Sequence, residues 1–136
     1  MPKTLKAPDE VASPPAELFI VLCAAGFDSP ERVRSALMFA TLAAAGQYKA
    51  VLYCIQGAVD VMVKGAVENH ESPDSSAPTI GQRLREAIDM GVQIQCCSQS
   101  MANRKLRPED MLEGVEIEGA MSLIELTSRS KGNLCF

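Results

Sequence analysis

Five cysteines and one histidine carry the side chains able to act as nucleophile or base near neutral pH: Cys23, Cys54, Cys96, Cys97, Cys135 and His70. An odd number of cysteines without Cys-x-x-Cys spacing supports neither a disulfide framework nor a thioredoxin-type pair nor a zinc knuckle. Free thiols in this number fit a reducing compartment. Cys23 and Cys54 lie inside apolar runs and read as inert core thiols, while Cys135 stands beside the C-terminus. The doublet Cys96-Cys97 closes the segment Val92-Gln93-Ile94-Gln95-Cys96, which alternates as a strand does. Alternation sends the two side chains to opposite faces, Cys96 into the packing between sheet and helices. Cys97, the first residue past that strand, faces the mouth of the next helix. Unpaired N–H groups and the helix dipole there favour a thiolate, the reactive form of the thiol. Arg104 and Lys105 add positive charge if the turn brings them round. Cys97 is therefore a candidate nucleophile or sulfur-binding residue, against the alternative of a small buried hydrophobe. Cys96 is its candidate helper, although a disulfide between adjacent cysteines closes a strained ring and is expected to be minor. His70 reads as a solvated loop residue, with a Cys–His nucleophile pair as the alternative.

Other constellations are weaker. Gly26 and Gly57 follow apolar runs, but neither G-x-G-x-x-G nor G-x-x-x-x-G-K-[ST] occurs, so a nucleotide phosphate site is poorly supported. Glu109, Asp110, Glu113, Glu116 and Glu118 lack the spacing of a calcium loop and read as a solvated face. Met101, Met111 and Met121 read as core filler.

The elements that must position these residues follow from patterning. Leu18–Cys23 (LFIVLC) and Lys49–Ile55 are continuous apolar runs, as in strands covered on both faces. Ser29-Pro30-Glu31 starts a helix that ends at Gly46, and its second half, from Leu37 to Ala45, is apolar nearly all round. Such a helix is buried on two sides, one of them by another subunit. Gly57 opens a short helix carrying Val59, Met62, Val63 and Ala66, followed by a polar loop over 68–79. Thr79 and Gln82 form a capping box for a helix ending at Gly91. A short helix over 98–104, a turn from Arg107, a strand over 115–117, a helix from Gly119 to about Ser130 and a strand over 133–136 complete the chain. Strands alternating with helices predict a parallel α/β sheet with helices on both faces, its chemistry gathered beyond the carboxyl ends of the strands.

Size and charge narrow the function. The 136 residues make about one domain: a flexible tail over 1–15 and a folded unit over 16–136. A net charge of −4 argues against nucleic-acid binding. With aromatics at 4% and no Trp, base-stacking platforms are not expected. The apolar runs are too short to span a membrane, and the polar, proline-bearing start is no signal peptide, so a cytoplasmic protein is expected.

Several segments in order resemble the DsrE-like family of sulfur-transfer proteins. GVQIQCCSQSMANRK is similar to the family's active-site segment, where a cysteine lies six residues after a glycine; that register, Gly91 to Cys97, puts the family's reactive cysteine on Cys97. RSALMFATLAAAGQYKAVLYCIQGAV is similar to its first helix, second strand and following glycine, and EGVEIEGAMSLIELTSRSKGNLCF to its C-terminal part. The resemblance covers roughly 18–136. It implies a three-layer α/β/α domain with a five-stranded, mainly parallel sheet, assembled as a homotrimer or a hexamer. It also implies a sulfur carrier or sulfurtransferase, with Cys97 taking sulfur as a persulfide or thiosulfonate and relaying it between TusA-like or rhodanese-like carrier proteins, in sulfur oxidation. No metal or organic cofactor is needed. The Cys-Cys doublet and the proline-bearing tail depart from the common family pattern. Two rivals remain: an assembly or binding protein on the same fold in which Cys97 is dispensable, and a flavodoxin-like flavin binder.

Overall fold

The computed structural model describes residues 15–72 and 78–136. The expected tail therefore lies, but for Pro15, outside the described residues. Five strands, β1 (Leu18–Cys23), β2 (Lys49–Cys54), β3 (Gln93–Cys97), β4 (Glu116–Glu118) and β5 (Gly132–Cys135), form one sheet in the order β4-β3-β2-β1-β5. Every pairing is parallel. Among the described residues six helices connect them: α1 (Pro30–Ala45), α2 (Ala58–Val61), α3 (Ala66–His70), α4 (Ile80–Asp89), α5 (Ser98–Asn103) and α6 (Ala120–Arg129), with a 3₁₀ turn at Pro108–Asp110.

The strand order dictates the layers. β1 to β4 step in one direction, so right-handed crossovers put α1 through α5 on one face. The step from β4 back past β1 to β5 reverses direction and puts α6 on the other. The first face holds the continuous core: Val21, Cys23, Leu52, Cys54, Ile94 and Cys96 from the strands pack with Leu37 and Ala40 of α1, Ile80 and Leu84 of α4, and Met101. On the second face Ile20, Val51 and Tyr53 are buried without joining that cluster. α6 touches β1 there, yet none of its own residues is buried.

Several expectations shift in detail. The helix opened by Gly57 breaks into α2 and α3 at Gly65, whose φ of 78° no helix continues. His70 is consequently the last residue of a helical turn and not a loop residue. β3 and β4 each run one residue beyond the expected end, which makes Cys97 the last strand residue. The left-handed position after α1 is Gln47 (φ 74°), not Gly46. Met101 and Met111 are core residues, but Met121 is 65% exposed on α6. The Thr79 capping box forms in both directions, each bond 3.0 Å. It is reinforced by Glu71, whose carboxylate accepts the N–H of Gly81 at 2.9 Å.

The loops after β1 and β2 meet at Gly26 and Gly57. A Cβ on Gly26 would lie 2.5 Å from the Gly57 carbonyl oxygen. Backbone cannot yield as a flexible side chain does, so the contact admits only glycine. Gly26→Ala is expected to cost about 1–3 kcal/mol, the usual range for overpacking, and to lower the thermal midpoint by several degrees. An unchanged midpoint would show that the two loops part easily.

Candidate functional site

The parallel register settles where the cysteines go. Cys23 pairs with Cys54, and Cys54 with Cys96, so the three thiols form a row across β1, β2 and β3 on the core face. All three are at most 2% exposed. The Cys23 thiol donates to the Ala25 carbonyl at 3.5 Å, and burial pushes its pKa up. Cys54 is held well above its ordinary range, first by its contact with the Cys96 sulfur and then by burial. These are core thiols, as Cys23 and Cys54 were expected to be. Cys96 belongs with them, fully buried on the face opposite its neighbour.

Cys97 lies on the other face, opposite Glu118 of β4, and is 7% exposed. It is also the residue from which α5 starts. Burial pushes its thiol up, but four donors together outweigh that: the Ser100 N–H, the Ser100 hydroxyl, the Gln99 N–H and the Tyr53 hydroxyl. The net result is a pKa below the ordinary value. In the resting thiol the side chain makes no capping bond to α5; a charged sulfur is the stronger acceptor.

Tyr53 reaches the site from β2. Its hydroxyl lies 2.7 Å from the Gly119 carbonyl and 3.2 Å from that of Glu118, so it pins the turn between β4 and α6. It has one hydrogen, which goes either to a carbonyl or to the sulfur. Its own pKa is pushed up, by burial first and then by the Cys97 sulfur beside it. Two further β3 residues share this face. The Gln93 and Gln95 amides both donate to Glu116, at 3.2 and 3.1 Å. Gln95 is 7% exposed, and its Oε1 finds no hydrogen-bond partner among the described residues.

Arg104 does not reach the sulfur. Its Nε pairs with Asp60 Oδ2 at 3.1 Å. Lys105 stands exposed in a left-handed conformation with φ 59°. Neither contributes to the acidity of Cys97. Arg104 instead lines a cavity of about 540 Å³ at the carboxyl ends of β1 and β2, with Phe27, Asp28, Gln56, Asp60 and His70. The His70 ring stacks on Phe27 with centroids 3.9 Å apart, and its Nδ1 is 2.9 Å from the Ala66 carbonyl. That bond makes Nδ1 the protonated nitrogen of the neutral ring. Cys97 is not among the cavity's lining residues, and His70 is not among the groups acting on the thiol, so the structure does not bring a Cys–His pair together. Among the described residues no cluster of three or more His, Cys, Asp or Glu is arranged to hold a metal ion.

Comparison with known proteins places the fold. The DsrE/DsrF-like family model matches residues 17–136. The chain belongs to the DsrE/DsrF-like family, which is generally linked to sulfur relay. Two uncharacterized proteins of Methanocaldococcus jannaschii are similar to it. One is 26% identical over 83% of this chain and 40% of its own length. The other is 27% identical over 78% of this chain and 88% of its own. The chain thus spans well under half of the first of these relatives. Among solved structures, the ychN protein from E. coli has the same fold, with a TM-score of 0.71 at 21% identity over 89% of this chain and 99% of that one. A protein of unknown function from Methanobacterium thermoautotrophicum follows at a TM-score of 0.61 and 14% identity, over 89% and 99%.

The donors about Cys97 predict its titration. Alkylation of Cys97 by iodoacetamide, followed against pH by mass spectrometry of the Cys97 peptide, is expected to show a midpoint below the roughly 8.5 of a free cysteine. Arg104→Ala is expected to leave that midpoint in place, because the guanidinium is committed to Asp60. A midpoint at or above that of free cysteine would mean that burial wins over the donors.

Proposed function

We propose that this DsrE/DsrF-like protein is a sulfur carrier that holds sulfur on Cys97 and relays it between carrier proteins. The observation that carries the reading is the position of Cys97, the last residue of β3 and the N-cap of α5, on the sheet face that Tyr53 shares, where its pKa falls below the ordinary value despite burial. A thiolate is what a sulfur acceptor needs, and the other strand thiols lack comparable support. In the step, the Cys97 thiolate attacks the outer sulfur of a donor persulfide R–S–SH. A bond forms between Cys97 Sγ and that sulfur, the donor's S–S bond breaks, and its electron pair leaves with R–S⁻. The product is Cys97–S–SH, with no net oxidation. Passing the sulfur on repeats the exchange with an acceptor thiol. A thiosulfonate is the alternative cargo, and TusA-like or rhodanese-like proteins are the partners this chemistry suits. Neither step calls on a metal or an organic cofactor. Cys96 enters only as a core neighbour of Cys54.

The protein acts as a homo-oligomer, a trimer in this reading. Support comes from apolar side chains left uncovered by a single chain: Phe39 and Leu42 on α1, Met121 and Ile124 on α6, with exposures of 38–65%. No described helix is long and apolar enough to cross a membrane, so a bilayer-spanning helix does not account for these residues. A cytoplasmic location accords with the free thiols.

Two measurements check these points. Polysulfide treatment followed by intact-mass analysis is expected to add sulfur to the wild type and to Cys96→Ser, and to lose most of that addition in Cys97→Ser. Loading that survives in Cys97→Ser would move the function elsewhere and leave an assembly or binding role for this fold. Light scattering at micromolar concentration is expected to give three times the chain mass; the mass of one chain would contradict the assembly.

A further inference from the structure

The turn after β2 contains an unusual residue. Gln56 adopts φ 51°, a left-handed conformation that a glutamine enters only when its surroundings compel it. Its neighbour Gly57 is packed against Gly26, which fixes the path of the turn. The conformation aims the Gln56 N–H at Ser100 Oγ, 2.9 Å away on α5 and 44 residues on in the chain.

A serine hydroxyl has one hydrogen and two lone pairs. An N–H donated to one lone pair restricts the rotor and leaves the hydrogen to be given elsewhere. In a helix that hydrogen commonly goes back to the carbonyl four residues earlier. Among the described residues no such bond is present at Ser100, and Ser100 is the third residue of the helix whose N-cap is Cys97, the position that faces the N-cap side chain. We infer that Gln56 is a positioning residue for the reactive sulfur: its backbone N–H holds the Ser100 oxygen so that the Ser100 hydroxyl donates to Cys97. Gln56 also lines the 540 Å³ cavity, so the wall of that cavity and the sulfur are joined through two successive hydrogen bonds. The other titratable residues on the sulfur's face are Tyr53 from β2 and Glu118, opposite Cys97 in the β3–β4 register. Arg104 at the end of α5 is paired with Asp60.

This inference rests on Cys97 as the working sulfur, and its test reads alkylation and not sulfur transfer, so the two can fail separately. In the full-length protein the pH midpoint of Cys97 alkylation is measured for five variants. Ser100→Ala is expected to raise it by about one unit, the scale of one hydrogen bond to a charged group. Ser100→Thr, which keeps the hydroxyl, is expected to restore it. Gln56→Gly keeps the N–H without strain and is expected to match the wild type. Gln56→Val, whose branched side chain resists the left-handed conformation, is expected to raise the midpoint alone and to add nothing in the Ser100→Ala, Gln56→Val double variant. Hydrogen exchange gives a second reading that needs no Gln56 substitution: the Gln56 amide is expected to exchange faster in Ser100→Ala. The inference is overturned by an unchanged midpoint in Ser100→Ala, by equal Gln56→Val shifts in both backgrounds, or by an unaltered Gln56 amide. Sulfur loading lost with the midpoints behaving as expected would instead overturn the carrier reading.

Discussion

The two-residue period of a β-strand separates Cys96 from Cys97, and the chemistry of the site depends on that separation. One step along β3 carries the side chain from the closed core, among Cys54 and Met101, to the face where Tyr53 and Glu118 stand. The thiol is sealed in the core in the first place, and in the second its pKa lies below the ordinary value. What differs is the supply of donors. On the core face burial raises Cys23 over the opposing pull of Ala25 and Arg32, and the Cys96 sulfur together with burial raises Cys54. On the other face burial is outweighed by two backbone N–H groups and two hydroxyls. A slip of β3 by one residue would exchange the two cysteines, and the exclusively parallel register with β2 and β4 prevents it.

The chain reversal at β5 is the second constraint. It leaves one helix, α6, to cover the second face of the sheet, whereas five lie on the first. A lone helix over a five-stranded sheet leaves apolar side chains exposed, and Met121 and Ile124 are so placed. α6 begins at the turn that Tyr53 pins through the Glu118 and Gly119 carbonyls. The Cys97 sulfur therefore stands at the foot of the element with the least covering of its own, and a second subunit seated on α6 would adjoin it.

Much of this was legible in the residues. The apolar runs LFIVLC and AVLYC, the capping box at Thr79 and the helix–strand alternation specify a parallel α/β sheet because each rests on local chemistry. The opposite facing of Cys96 and Cys97 follows from the pleat alone. What could not be read comes from contacts between distant segments. Tyr53 looks like one more apolar strand residue until the register sets it beside β4. Ser100 is an ordinary helix serine until the turn after β2 arrives at its hydroxyl. Arg104, at the C-terminal end of α5 and seven residues after Cys97, seemed free to serve the thiol, but Asp60, contributed by α2, claims it. Gln95 carries no local sign of its burial, which comes from tertiary packing and its bond to Glu116. Nearness in sequence predicted the backbone donors of the site and missed its side-chain donors.

The central claim is that sulfur rides on Cys97 within its ring of donors. A crystal structure of the polysulfide-treated protein tests it most directly. The account predicts one added sulfur at about 2.05 Å from Cys97 Sγ, the length of an S–S bond, with the Ser100 hydroxyl and Tyr53 turned toward the pair. Added sulfur on Cys135 or Cys96, with Cys97 unmodified, would contradict it.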